Sequence, residues 1–383
     1  GNQNVIHTLM KAAAAKISFS GLHRFATSIP KIIPVESAVV QSAEILSSHI
    51  PFRAAKRLKN LAELPKDWPG IDRLVHRYES LVSCPFPGYY DGHLMEMDVS
   101  KSMALGIWLE NNVQLLEQDI CYLQSQFRDM ILKGSLSRTH SAIEPFISAT
   151  YTHLITMRIL SSQHKAYTDI AAMKPEDRTE EHYANIPVVT ADCDLKQLAT
   201  DTAEDCRAFC VEKHGEAPEI VVSTGQKDYH CKPKPASNGL PTAPDSLIIE
   251  GHVHFVLMEL LKNAMKATIA HWGPRLPEAP PVQVQVSRRG GEIGLRVSDC
   301  GGGIPLQHRA SAMRYFYTTE PERQFDPSEG SASRFSGYGF GLPMARLYAR
   351  LAGGDLTLSV LPGYGTDAHV ILGRYGAPEI PAD

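Results

Sequence analysis

Glu259-Leu260-Leu261-Lys262-Asn263-Ala264-Met265-Lys266-Ala267-Thr268 continues an apolar pattern, Val253, Val256, Leu257 and Leu260, that recurs at threes and fours. This period belongs to an amphipathic helix with one buried face. On such a helix Glu259 and Asn263 are i,i+4 neighbours, so a carboxylate and a carboxamide oxygen lie side by side. The pair suits a metal and a proton acceptor, or equally a capped, salt-bridged surface pair.

Two later stretches bear on that choice. Val297-Ser298-Asp299-Cys300-Gly301-Gly302-Gly303-Ile304 is an apolar strand running into an acid and three glycines. Gly337-Tyr338-Gly339-Phe340-Gly341-Leu342-Pro343 opens directly into a second helical pattern, Met344, Leu347 and Leu351. In this order the three stretches resemble the N, G1 and G2 boxes of the GHKL superfamily of ATP-binding proteins, which includes gyrase, the heat-shock chaperone, histidine kinases and mismatch-repair ATPases. The wording within the boxes, with Gly363-Tyr364-Gly365-Thr366-Asp367, is similar to the mitochondrial 2-oxoacid dehydrogenase kinases, both pyruvate and branched-chain. The likeness extends upstream through Ile50 to Lys59 with Leu64-Pro65, and through Met157-Arg158-Ile159-Leu160 with Gln163-His164.

A chain of 383 residues with 43% hydrophobic content can bury more than one core, so two domains are expected. A net charge of -4 makes it no nucleic-acid binder, and no apolar run is long enough for a membrane span. The seven cysteines form no Cys-x-x-Cys pair and no zinc spacing. Cys206 and Cys210, one helical turn apart, read as buried reduced thiols. Residues 1–35 hold Lys11, Lys16, Arg24 and Lys31, contain no acid and are rich in Ala and Ser. Mitochondrial transit peptides share that composition, which points to a matrix address.

From Glu36 to about Lys174 the patterns are helical. Arg53 to Leu64 places Leu58, Leu61 and Leu64 on one stripe with basic residues opposite, stopped by Pro65. Leu105 to Met130 and Ser141 to about Tyr167 are two longer helices, so this half reads as a bundle. The polar stretch 174–183 marks the boundary, giving a bundle over 1–176 and an ATP-binding domain over 177–383. There a helix from Leu195 to Phe209 precedes a strand near Glu219 to Ser223 and a loop from Gly225 to Pro244. Alternation in Val282, Val284, Val286 and in Ile293, Leu295, Val297 gives two strands, joined by Gly290-Gly291 as a tight hairpin. Thr318 to Ser336 reads as a lid, and Leu356 to Leu361 pairs with Ala368 to Leu372. The fold class is α+β: a helical bundle followed by a GHKL, Bergerat-type α/β sandwich.

For an ATP site, Asp299 at a strand end is suited to accept a hydrogen bond from the adenine amine. Gly301 and Gly303 admit the base where a Cβ would clash. Each box alone also fits a capping Asp and a plain glycine turn. Gly337, Tyr338, Gly339, Phe340, Gly341 and Leu342 offer backbone N–H groups and a helix start to phosphates. No P-loop is present, no βαβ unit surrounds the glycines, and Asp299-Cys300-Gly301 is not the Asp-Phe-Gly of ordinary protein kinases.

The resemblance implies that Thr366 completes the adenine pocket and that Thr318 and Thr319 stand for the family's Ser-Thr pair at the lid. Asn263 would bind Mg2+, Glu259 would be the catalytic base, and Lys262 and Lys266 would touch phosphates. Lys266 stands where the family usually has Arg. Three further departures are Phe255 in place of a histidine one turn before the glutamate, Met95-Glu96 in place of an Arg-His pair, and no Asp-Trp tail in Arg374 to Asp383. The implied function is an ATP- and Mg2+-dependent serine kinase that inactivates the decarboxylase subunit of a 2-oxoacid dehydrogenase complex. Pyruvate dehydrogenase is favoured by Met344 to Ala349. Such a kinase would form a homodimer through the sheet domain and dock by its bundle on a lipoyl domain of the acyltransferase core. The branched-chain enzyme and a nucleotide-binding regulatory module with little phosphotransfer stay open beside it.

Overall fold

The computed structural model describes residues 19–29, 32–65, 68–86, 97–137, 140–190, 193–225, 247–289, 292–319 and 338–373. The expected Gly290-Gly291 turn, nearly all of the 225–244 loop, the lid beyond Thr319, Gly337, Met95-Glu96 and the tail from Arg374 lie outside them. The chain separates into two compact units that divide between Val188 and Val189.

The first unit is helical: α1 (Phe19–Thr27), α2 (Val35–Leu61), α3 (Ile71–Val82), α4 (Val99–Leu132), α5 (Ile143–Ala172) and the short α6 (Glu180–Ala184). The helix read as starting at Arg53 begins at Val35 and runs through Pro51. Proline forfeits one hydrogen bond and crowds the preceding turn, but Ala43, Leu46, Ile50, Ala54 and Ala55 keep one face buried across it. Two basic side chains of this helix are not solvated, since Arg53 and Arg57 are 3% and 2% exposed. Arg57 Nη2 donates to Thr150 Oγ1 of α5 at 3.0 Å.

Two residues of the Gln163-His164 pair act as joints. His164 bridges Ser42 Oγ of α2 at 3.0 Å and the Ser102 carbonyl of α4 at 2.9 Å. Gln163 donates to the Ile186 carbonyl at 2.9 Å and accepts from the Val188 amide at 3.0 Å. Arg178 pairs with Glu36 at 2.7 Å. These bonds fold the polar stretch 174–183, read from sequence as the boundary, onto the bundle and carry the first unit through to Val188.

The second unit contains α7 (Leu195–His214), β1 (Ile220–Thr224), α8 (Glu250–Trp272), β2 (Val282–Arg289), β3 (Glu292–Ser298), the one-turn α9 (Leu306–Arg309), α10 (Gly341–Leu351), β4 (Asp355–Leu361) and β5 (Gly365–Leu372). Sheet order is β1-β2-β3-β5-β4. β1 runs parallel to β2 and the other pairs are antiparallel. Alternation sorts the faces: Val284, Leu295, Val370 and Leu356 are buried, while Gln285, Arg296, His369 and Thr357 form a polar row across the other face. Helices α7, α8 and α10 pack as the second layer, so the unit is an α/β sandwich. The expected strands and helices are all found here, although α7 runs five residues past Phe209, β2 three past Val286, and β5 starts three before Ala368.

Burial of Arg57 generates a stability prediction. Thr150→Val removes the hydroxyl acceptor of a buried guanidinium and should cost about 1.5–3 kcal/mol, the range for a hydrogen bond to a charged group. Arg57→Met removes the charge together with its need for an acceptor and should be far less harmful. Urea unfolding followed by tryptophan fluorescence measures both, and equal losses would reject this account.

Candidate active site

Helix α8 buries Val253, Val256, Leu257, Leu260, Leu261, Ala264 and Met265, and its Glu259 is buried with them at 4% exposure. Asn263, one turn on, is exposed. The surface-pair reading of these two residues therefore fails for Glu259. A buried carboxylate is costly unless matched by charge or hydrogen bonds, and the Lys262 ammonium supplies the match in a close ion pair. Burial raises the Glu259 carboxyl above the ordinary carboxylate range, and Lys262 pulls it back down.

The start of α10 meets this carboxylate from the other side. A Cβ on Gly341 would collide with Glu259 Oε2, so a larger residue there would displace the carboxylate. Phe340 is the N-cap and no side chain caps the helix. The first-turn amides are therefore turned to whatever lies before them, an arrangement that suits an anion. Gly339 has φ 76°, and a Cβ there would stand 2.5 Å from the Tyr317 backbone. Tyr338 and Phe340 are 4% and 2% exposed, and Phe340 packs on Tyr315 and Phe316 at 5.4 and 4.9 Å. Their side chains anchor the turn, leaving only backbone for a ligand.

A cavity of about 370 Å³ joins these parts. Of the residues expected from sequence, Glu259, Lys262, Asn263, Lys266, Thr318, Thr319, Gly339, Gly341 and Leu342 line it. Asp299, Gly301, Gly303 and Thr366 form a separate knot. Asp299 Oδ1 accepts from the Gly301 amide at 2.8 Å and the Thr366 amide at 3.3 Å. Burial raises this carboxyl, and those two bonds lower it. The two glycines have a packing reason of their own. A Cβ on Gly301 would stand 2.6 Å from Ala267, and one on Gly303 2.8 Å from the Leu361 carbonyl oxygen. Close packing on α8 and on the β4–β5 turn excludes a side chain at both positions.

Sequence reasoning missed the wall supplied by Phe209, Cys210, Lys213 and His214 of α7, and also His308 and Tyr317. Nothing local marks them, since α7 reaches the cavity only by packing along α8. Phe255 packs on Tyr348 of α10 at 4.8 Å, and His254 bonds Thr202 of α7 at 3.0 Å. The buried Cys206 thiol, pushed up to about 12 by burial, lies 3.7 Å from Met265 Sδ. It is a core group, as read, and Cys210 is likewise free and buried.

Among the described residues no cluster of three or more His, Cys, Asp or Glu could hold a metal ion. A lone exposed carboxamide oxygen, Asn263, fits a hard cation that keeps most of its ligands from water and phosphate, as Mg2+ does.

Residues 249–375 match the family of histidine kinase-, DNA gyrase B- and HSP90-like ATPases. The mitochondrial pyruvate dehydrogenase (acetyl-transferring) kinase of Arabidopsis thaliana is 28% identical over 362 residues, 91% of this chain and 88% of that protein. The kinase of the same name from Drosophila melanogaster is 27% identical over 343 residues, 85% and 76% of the two chains. Human isozyme 3 is 30% identical over 231 residues, 60% of this chain and 52% of its own length. The second unit is thus an ATP-binding domain of the GHKL class. Over most of its length the chain is similar to the pyruvate dehydrogenase kinases, and these likenesses support a protein kinase of that type.

The raised carboxyl sets a pH dependence. A base must be ionised to accept a proton, so turnover should climb with pH through a range above that of an ordinary carboxylate. Lys262→Met removes the group that lowers the Glu259 carboxyl and should move this limb to still higher pH. Single-turnover rates against pH test it, and identical limbs in the two proteins would refute the assignment.

Proposed function

We propose that this chain is an ATP- and Mg2+-dependent serine kinase that phosphorylates, and so inactivates, the decarboxylase subunit of the mitochondrial pyruvate dehydrogenase complex. The observation that carries the reading is the meeting of Glu259, Asn263 and the uncapped α10 start in one cavity. The names of the relatives support pyruvate dehydrogenase as the target.

In this reading Asp299 offers its second carboxylate oxygen to the adenine amine, since both bonds to the knot fall on Oδ1. Thr366, whose amide the same carboxylate holds, borders that face with Gly301 and Gly303. The phosphates lie along the backbone of Gly337 to Leu342, with Lys266, Thr318 and Thr319 beside them. Asn263 would hold Mg2+, which when bound neutralises phosphate charge. Glu259 takes the proton of the acceptor serine hydroxyl as the oxygen bonds to the γ-phosphorus and the bond to ADP breaks. Lys262 keeps that carboxylate ionised until the proton arrives.

The polar sheet face carrying Gln285, Arg296 and His369 suits the interface of a homodimer, and the helical unit suits docking on a lipoyl domain of the acyltransferase core. The family likeness and the composition of residues 1–35 support a matrix location. One observation favours a second reading, a regulatory module with little phosphotransfer: Phe255, not a histidine, lies one turn before Glu259 and packs on Tyr348.

Incubation with purified pyruvate dehydrogenase complex and labelled ATP distinguishes the two. Wild type should label the decarboxylase serine. Glu259→Gln should bind ATP normally yet transfer at least about 10²-fold more slowly. Asp299→Ala should weaken ATP binding by about 1.5–3 kcal/mol and leave GTP unaffected. Tight ATP binding without labelling of the complex would favour the regulatory module.

A further inference from the structure

His308 of α9 and Tyr317 line the cavity and take no part in the nucleotide contacts above. The two are hydrogen-bonded to each other, His308 Nδ1 with the Tyr317 hydroxyl. The other ring nitrogen of His308, Nε2, stands 3.2 Å from Gln307 Nε2. A carboxamide nitrogen only donates, so His308 Nε2 accepts there and the proton of the neutral ring sits on Nδ1. Nδ1–H therefore donates to the phenol oxygen. A phenol that accepts this bond keeps its own proton for a further acceptor. The Glu259 carboxylate in the same cavity is already paired with Lys262.

The backbone sets this donor beside the glycine turn at the α10 start. Phe316 has φ 62°, in the left-handed region that a bulky residue keeps only where its surroundings dictate it. Its ring packs edge-on against Phe340. A Cβ on Gly339 would stand 2.5 Å from the backbone N and O of Tyr317. Tyr317 is thus fixed against residues 339–341, whose backbone suits an anion. On the other side Arg309 Nε donates to the Ile304 carbonyl at 2.9 Å, which ties α9 to the glycine run after Asp299.

We propose that Gln307, His308 and Tyr317 form a row of donors that ends on a phosphate of the nucleotide; the proposal rests on the nucleotide reading above. Gln307 donates to His308, His308 to Tyr317, and the Tyr317 hydroxyl to a phosphate oxygen. No proton is transferred along this row. The Nδ1–H tautomer occupies one side of the phenol oxygen and so turns its hydrogen toward the cavity. A bond from that hydroxyl to a charged oxygen is stronger than one between neutral groups. A hydroxyl oriented before the ligand arrives also loses little freedom when it binds. Tyr317 is therefore a phosphate-binding residue, and His308 a positioning residue that acts through it.

The test uses the full chain, with ATP and adenosine as ligands in calorimetry. Tyr317→Phe should raise the Kd for ATP about tenfold, the lower end for a hydrogen bond to a charged group, and leave the Kd for adenosine unchanged. His308→Asn keeps a donor in the place of Nδ1 and should hold the ATP affinity within about twofold. His308→Leu should weaken it, but should have no further effect once Tyr317→Phe is present. Nitrogen NMR of histidine-labelled protein without nucleotide should find the His308 hydrogen on Nδ1, the signals being assigned by their loss in His308→Asn. A hydrogen on Nε2 would overturn the proposal, because the phenol proton would then be spent on the ring. Unchanged ATP affinity in Tyr317→Phe, or an equal loss for adenosine, would also overturn it and leave the nucleotide reading intact. Failure of the wild type to bind ATP removes that reading and the row of donors together. Matching thermal melts show that the variants are folded.

Discussion

A carboxylate held away from water constrains everything near it, and in the ATP-binding unit that carboxylate is Glu259. Desolvating an ionised acid costs several kcal/mol or more unless it is compensated. Here the compensation is the Lys262 ammonium, itself seated by the Phe209 ring of a neighbouring helix. The opposite side is closed by the start of α10, which fits because position 341 has no side chain. Three helices distant in sequence thereby meet at one carboxylate, with Lys262 on Oε1 and Gly341 against Oε2.

The ATP-binding unit was largely legible in the sequence because its signals are local. Strand alternation is a period of two, helix burial a period of 3.6, and glycine runs mark close approaches. The α7 wall was not legible, since Phe209 and Lys213 become part of the site only through helix packing. Tyr338 and Phe340 show the converse. They lie inside a recognisable motif, yet their rings serve the core and only the backbone between them faces the cavity. Gly301 and Gly303 have a packing role that their motif does not announce, because what fills the space beside them is protein.

In the helical unit, sequence reading erred where charge and proline carried the argument. Pro51 and the run Arg53, Lys56, Arg57 look like the start of a solvated helix, yet two of those three cations are buried. Their burial depends on partners from another helix, such as Thr150, which no window around Arg57 contains. Gln163 and His164 belong to the upstream stretch that carries the family resemblance. They prove to be joints, one clamping the chain's exit from the bundle and the other tying α2, α4 and α5 together.

The parallel pairing of β1 with β2 has a consequence for how this domain can be divided. A parallel pair needs a long crossover, and here that crossover contains α8. The helix bearing Glu259 is therefore threaded between two adjacent strands that must find each other across it, a contact of high sequence separation that closes late. The part matching the ATPase family starts at residue 249, after both α7 and β1. A fragment cut at that point would retain every recognisable motif, expose the outer edge of β2 as an unpaired strand, and lose the aromatic seat of Lys262. The smallest autonomous unit is accordingly larger than its signature, and its extra portion is the part that carries no motif.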